Sequence, residues 1–237
     1  MKGKLYGVGV GPGDPQLLTL KAREVLSEVD YICTPRAGKD KKSRALQIVE
    51  QVVDCKNRVK GLHFPMTTDP TKLQQAHQQV SEEIIGLLDK GYDLAFITLG
   101  DPLLYSTYIY LLQHLQNYPR LEVETIPGIN AASAAAARLN QPLASGEEKL
   151  LFYPLPQVAP ELDSVLKNSS NIVFFKVSHN YELLIEKLEE HGRKENSYLV
   201  SNCGQEGELV ASELDSFFGK KVPYFSLVIT KRKRDKK

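Results

Sequence analysis

The sequence predicts an α/β fold in two domains, and three observations carry that reading. The first half alternates short apolar runs with helix-period patterns, as a parallel sheet with helices on both faces requires. A continuous apolar run at 94–99 stops abruptly at Gly100-Asp101-Pro102, as a buried parallel strand bounded by turn residues does. The last third carries strand-like segments too closely spaced for helical crossovers, which points to antiparallel pairing in a second sheet.

Taken in order, residues 4–10 read as the first strand and 17–27 as a helix that stops at Asp30. Residues 31–33 are short and extended, 42–53 read as a helix, and 73–90 form a clearer helix with Gly91 as its stop. The strand at 94–99 leads into a helix over 105–115. Asn117-Tyr118-Pro119-Arg120 breaks the pattern, and the domain boundary is placed there, with 1–117 as the first α/β domain and 118–230 as the second. The second opens with a strand at 121–126, an alanine-rich helix and an extended piece at 150–153. Pro154, Pro156 and Pro160 mark a loop. Residues 172–177 form a strand and 181–190 an amphipathic helix ended by Gly192; 197–201, 208–211 and 224–230 read as strands. Residues 231–237 are a basic tail, expected to be disordered.

Three strand–turn–helix junctions concentrate glycine and proline. The first is Gly7-Val8-Gly9-Val10-Gly11-Pro12-Gly13-Asp14-Pro15. It is not a dinucleotide fingerprint: counting from Gly7 puts Pro12 at the third glycine, and counting from Gly9 puts Asp14 there. Pro12 has no N–H for a phosphate and Asp14 would repel one. The loop is built for close backbone approach to something else. The second junction is Gly100-Asp101-Pro102-Leu103-Leu104-Tyr105-Ser106-Thr107, which leaves a carboxylate at the carboxyl end of a strand, where open α/β sheets bind ligands. The third is Ile126-Pro127-Gly128-Ile129-Asn130, which leads into the run of alanines.

Composition narrows the class. At 237 residues, 42% hydrophobic and 25% charged, the chain is an ordinary globular protein. It has no 18-residue apolar run and no apolar leader, so no membrane association and a cytoplasmic location are expected. Cys33, Cys55 and Cys203 form neither a disulfide framework nor a CxxC pair, so reduced thiols and no metal site are expected. The net charge of +1 divides into +5 on the tail and −4 on the body, which argues against nucleic acid as a partner.

The ordered trio of GVGPGD, LGDP and IPGI resembles the tetrapyrrole methylase family over essentially the whole chain. Phe64-Pro65-Met66, Leu103-Leu104-Tyr105-Ser106-Thr107 and Tyr224-Phe225-Ser226-Leu227-Val228 resemble its precorrin-2 C20-methyltransferase branch. The resemblance implies two α/β domains with S-adenosylmethionine (SAM) held in the cleft between them, a homodimer, and a tetrapyrrole acceptor, precorrin-2 or its cobalt form. It places Pro12, Gly100, Asp101, Pro102, Leu104, Ser106, Thr107, Asn130 and Ala131 at the SAM pocket. From the second domain it adds Lys176, Cys203 and Ser226. Other precorrin methylases, uroporphyrinogen III methylase, the diphthine and ribosomal RNA methylases, and a non-catalytic SAM-binding module are the alternatives.

Methyl transfer from a sulfonium needs alignment more than acid or base, which suits a chain without a catalytic triad or metal-ligand motif. Asp101 is expected to accept a hydrogen bond from the donor or to complement its positive charge. The acceptor is a flat macrocycle fringed by carboxylates, so its site needs a cationic rim. Arg36, Lys39, Lys41, Lys42 and Arg44 cluster after the extended segment 31–33. Arg36, Lys42 and Arg44 are the candidates for the rim, and Tyr105 for contact with the macrocycle. His63 is the candidate acceptor for the proton that leaves the methylated carbon.

Overall fold

A computed structural model describes residues 2–36, 43–65, 67, 69–116, 118 and 121–232. The chain forms two compact units, 1–130 and 131–237. The first carries five strands: β1 (Lys4–Gly9), β2 (Tyr31–Arg36), β3 (Val59–His63), β4 (Leu94–Thr98) and β5 (Glu122–Ile126). Its helices are α1 (Leu20–Glu28), α2 (Arg44–Val49), α3 (Pro70–Leu88) and α4 (Tyr108–Leu115).

All pairings in the first sheet are parallel, in the order β3-β2-β4-β1-β5. The chain runs outward from β1 through β2 to β3, then returns for β4 and crosses to β5. Right-handed crossovers put helices made in opposite directions on opposite faces. Accordingly Ala22 and Leu26 of α1 and Leu46, Ile48 and Val49 of α2 pack with Val8, Ile32 and Ile97. Val80, Ile84 and Leu88 of α3 and Tyr108, Leu111 and Leu115 of α4 pack on the other side with Leu5, Cys33 and Phe96. β4 is covered on both faces and buries all five residues, which is why its sequence is a continuous apolar run.

Local chemistry sets the boundaries. Thr19 Oγ1 accepts the Ala22 N–H at 3.1 Å and starts α1 later than the periodicity at 17–27 implies. Asp69 caps α3 by accepting from Thr71 N at 2.9 Å. Tyr105, at φ +54°, holds the left-handed backbone ahead of α4, so that helix opens at Tyr108. The helix expected over 42–53 is confined to Arg44–Val49, capped by Ser43. β3 was not expected from the sequence. The domain boundary expected at 117/118 is also displaced: β5 pairs with β1, so the first unit continues past it.

The second unit holds α5 (Ala131–Leu139), β6 (Leu150–Pro154), α6 (Leu162–Asn168), β7 (Asn171–Phe175), α7 (Tyr181–Glu190), β8 (Ser197–Ser201), β9 (Leu209–Ala211) and β10 (Ser226–Lys231). Its sheet runs β6-β7-β10-β8-β9, with β10 antiparallel to both β7 and β8. The closely spaced late strands are therefore antiparallel, as their spacing requires. α5 lays Ala132, Ala135 and Ala136 against Val173, Val200, Leu227 and Ile229. Leu162 and Leu166 of α6 and Leu184, Ile185 and Leu188 of α7 cover the other face with Phe174, Leu199 and Val228.

A buried arginine closes α6, the one helix of this unit that its sequence did not announce. Arg193, 3% exposed, donates to the carbonyls of Leu166 at 2.6 Å, Ser170 at 3.2 Å and Ser169. Leu166 lies in the last turn of α6 and Ser169 is its C-cap, so their carbonyls are ones the helix end leaves short of partners. The Ser170 carbonyl also accepts from Arg232 N at 2.9 Å. Arg193→Met keeps the length and the packing but removes this donor from the Leu166 and Ser169 carbonyls, while Ser170 O keeps the Arg232 N–H. It should lower the unfolding free energy by about 1.5–3 kcal/mol, since charge-assisted bonds are lost at the helix end. Urea unfolding should show a lower midpoint at an unchanged slope; an unchanged midpoint would mean that water replaces the guanidinium.

Candidate active site

The carboxyl ends of β4, β1 and β5, three adjacent strands, carry the three glycine junctions, and the structure fuses them. Val10 N donates to Thr98 O at 3.0 Å. Gly100 N donates to Gly11 O at 2.8 Å and Gly11 N to Gly100 O at 3.3 Å, an isolated antiparallel bridge between two loops. Both glycines lie at positive φ, +78° and +71°. The close approach expected of the first loop is thus an approach to its neighbouring loops. A Cβ on Gly9 would come within 2.6 Å of Gly128 N and 2.7 Å of Gly100 O. A Cβ on Gly128 would lie 2.2 Å from Gly100 O and 2.8 Å from Gly9 Cα. Three backbones meet where no side chain fits.

Asp101 ties this junction. Its Oδ2 accepts the Gly128 N–H at 3.0 Å and its Oδ1 the Leu103 N–H at 2.9 Å. One carboxylate therefore joins the β4 loop to the β5 loop and shapes its own turn. Ser106, buried, is spent inside the same loop: its hydroxyl donates to Pro102 O at 2.5 Å and accepts from Tyr108 N at 3.2 Å. Pro12 and Pro102 are buried, Leu104, Thr107, Asn130 and Ala131 half-buried. Gly100 has an open side: a Cβ there would meet nothing nearer than Asn130 Cα at 3.9 Å. The loop thus leaves room beside its backbone for a bound group.

Tyr105 is 45% exposed at its positive φ, a conformation that costs a non-glycine residue roughly 1–3 kcal/mol and collects at functional sites. Burial of part of the ring raises its phenol pKa.

Arg36 and His63 end neighbouring strands and are register partners. Arg36 is half-buried and His63 exposed. β3 lies two strands from β4, roughly 10 Å at the usual strand spacing, so His63 sits away from the glycine junction. Arg44 is exposed at the first turn of α2. Lys42, like Lys39 and Lys41, lies outside the described residues.

In the second unit the three expected residues converge at one end of the sheet. Lys176 follows β7 at φ +58°, and Asn202 follows β8 at φ +48° beside Cys203. Ser226 opens β10, and its hydroxyl lies 2.6 Å from Ser201 Oγ. Asn202 N donates to Phe225 O at 2.8 Å, which locks the β8 turn to the start of β10. Burial, then the nearby Glu208, raises the Cys203 thiol pKa. Glu208 itself is held below the usual carboxylate range by the Gly204 N–H and by Arg138.

Sequence reasoning passed over Gly9 and Gly128 as site residues. Both stood in the quoted motifs. What was missing was the identity of the backbone atoms they touch, those of Gly100 and of each other, which are distant along the chain.

The fold and its fused loops define a family. Residues 4–216 match the model of the Tetrapyrrole (Corrin/Porphyrin) Methylases, and the chain belongs to that family. Its relatives include the probable cobalt-precorrin-2 C(20)-methyltransferase of Methanocaldococcus jannaschii, 40% identical over 233 residues that cover 97% of this chain and 96% of that one. The cobalt-precorrin-2 C(20)-methyltransferase of Salmonella typhimurium is 30% identical, with 98% of each chain covered. Among solved structures, a cobalt precorrin-4 methyltransferase superposes with a TM-score of 0.73 at 18% identity, covering 96% of this chain and 94% of that one. A uroporphyrin-III C-methyltransferase from Thermus thermophilus, complexed with S-adenyl homocysteine, gives 0.68 at 19% identity over 97% and 98% of the two chains. These two likenesses establish the shared fold. Among the described residues no helix is long and apolar enough to cross a membrane.

Proposed function

We propose that this chain is a SAM-dependent C-methyltransferase that methylates precorrin-2 or cobalt-precorrin-2 at C20 in cobalamin biosynthesis. The observation that carries the reading is the full-length match to C20-methyltransferases, with nearly the whole of both chains covered.

When bound, SAM supplies a methyl group on a sulfonium whose leaving group is already activated. The chain's own task is alignment and exclusion of water, which is worth roughly 7–11 kcal/mol when geometry is well held. The fused loops suit that task, because backbone locked to backbone cannot drift. Pro12, the Gly100–Pro102 turn, Leu104 and Asn130 are the proposed donor contacts in the first unit, with Ser106 and Thr107 shaping the loop and Ala131 following it. Lys176, Cys203 and Ser226 are those proposed in the second.

For the acceptor, Arg36 and Arg44 are the proposed carboxylate partners, Tyr105 an apolar contact, and His63 the group that takes the C20 proton. The new bond is C20–CH3; the methyl–sulfur pair stays on sulfur and the proton leaves to the base. The same reading makes the protein a cytoplasmic homodimer, which light scattering on the purified chain tests.

Incubation with SAM and precorrin-2, with and without cobalt, should give a product heavier by one methyl, with the label from methyl-enriched SAM at C20 by NMR. A label at another carbon would reassign the protein within its family. No binding of SAM at millimolar concentration after chelation of metals would remove the methyltransferase reading.

A further inference from the structure

We infer that Gly61 is a positioning residue for the acceptor site: its missing side chain lets the Arg36 guanidinium lie across β3, ready to receive a carboxylate of the tetrapyrrole. The inference rests on the proposed function and adds to it a residue that no motif marks.

β2 and β3 run parallel, with Thr34 opposite Gly61 and Arg36 opposite His63. Alternation along the strands puts Arg36, Gly61 and His63 on one face. The Arg36 side chain folds back over the glycine. A Cβ on Gly61 would stand 2.2 Å from Arg36 Nε, 2.4 Å from Cδ and 2.6 Å from Cζ. The guanidinium and the end of its stem occupy the space that any other residue would fill. Glycine within a strand weakens it, and such a glycine often marks a place where another group comes close. Here that group is an arginine.

The other arginines with assigned partners are spent. Arg58 donates to the carbonyls of Leu26, Val29 and Asp54, and Arg193 to those that close α6. Arg138 pairs with Glu208. No carboxylate among the described residues pairs with Arg36. A half-buried guanidinium held in one place by packing presents its fork to a carboxylate with little left to order. Its position at the carboxyl end of β2, in a parallel sheet, is where open sheets receive ligands.

The test uses the whole enzyme, SAM, and precorrin-2 or its cobalt form. Gly61→Ala drives the guanidinium off the strand, and should raise the KM for the tetrapyrrole about five- to tenfold while kcat and SAM affinity stay within twofold. Arg36→Gln leaves the strand untouched and should raise the same KM at least tenfold. The double variant should match Arg36→Gln alone, because the glycine acts only through the arginine. An unchanged KM in either single variant, or a full extra effect of Gly61→Ala on top of Arg36→Gln, overturns the inference. Loss of SAM affinity in Gly61→Ala in step with the KM would show a general disturbance of the sheet, and also overturns it. Inactivity of the native enzyme toward both tetrapyrroles would instead overturn the proposed function.

Discussion

Gly128→Ala is expected to weaken SAM and S-adenosylhomocysteine binding by about tenfold or more, the equivalent of about one good hydrogen bond, because the added methyl displaces the backbone on which the proposed donor site is built. The added methyl would sit 2.2 Å from Gly100 O and 2.8 Å from Gly9 C and Cα. All three are backbone atoms, so no rotamer change relieves the contact. The β5 loop must withdraw from the β1 and β4 loops and give up the 3.0 Å bond from Gly128 N to Asp101. Overpacking of this kind costs about 1–3 kcal/mol of stability, too little to unfold the unit. Gly86→Ala is the control. On α3, nothing lies within 4 Å of a Cβ at that position. That change should leave binding alone and stabilise the helix by up to about 1 kcal/mol. Calorimetry with both ligands, beside thermal unfolding, separates the two effects. Binding of Gly128→Ala within threefold of the native value would show that the loop junction is a matter of folding alone.

The origin of this effect explains what the sequence could and could not disclose. β4 was legible because burial on both faces demands an unbroken apolar run, and α3 and α7 because one apolar stripe faces a core. β3 was not. It lies at the sheet edge and fully buries only Leu62, so Lys60, Gly61 and His63 leave no alternation to read. α6 has seven residues, begins just after three prolines, and owes its end to Arg193, twenty-five positions beyond Asn168. The boundary moved because β5 reads the same whether it closes one sheet or opens the next; only its pairing with β1 decides. The three motifs were legible as turns at strand ends. Their mutual contacts were not, since the spacing from Gly9 to Gly128 carries no local signal. For the same reason Asp101 read as a free carboxylate at a ligand site, while its oxygens are both engaged by backbone.

That difference separates two roles for Asp101, and one comparison decides between them. Were its charge spent on the sulfonium, Asp101→Ala would weaken SAM and spare the neutral thioether S-adenosylhomocysteine. The geometry predicts otherwise. With Oδ1 on Leu103 N and Oδ2 on Gly128 N, the carboxylate acts by holding two loops together. Asp101→Ala should therefore weaken both ligands by the same factor, more than tenfold. It should also cost about 1.5–3 kcal/mol of stability, the value of a charge-assisted hydrogen bond. Asp101→Asn keeps one acceptor oxygen, but turns its amide N–H2 toward the second backbone donor. It can satisfy Leu103 or Gly128 and not both, so its losses should fall between those of native and alanine, again equal for the two ligands. A selective loss of SAM, with S-adenosylhomocysteine affinity and unfolding temperature unchanged, would return Asp101 to the role of counter-charge. Equal losses with a lowered unfolding temperature would establish that the carboxylate aligns the methyl donor through the backbone it ties, because only a displaced loop disfavours the charged and the neutral ligand alike.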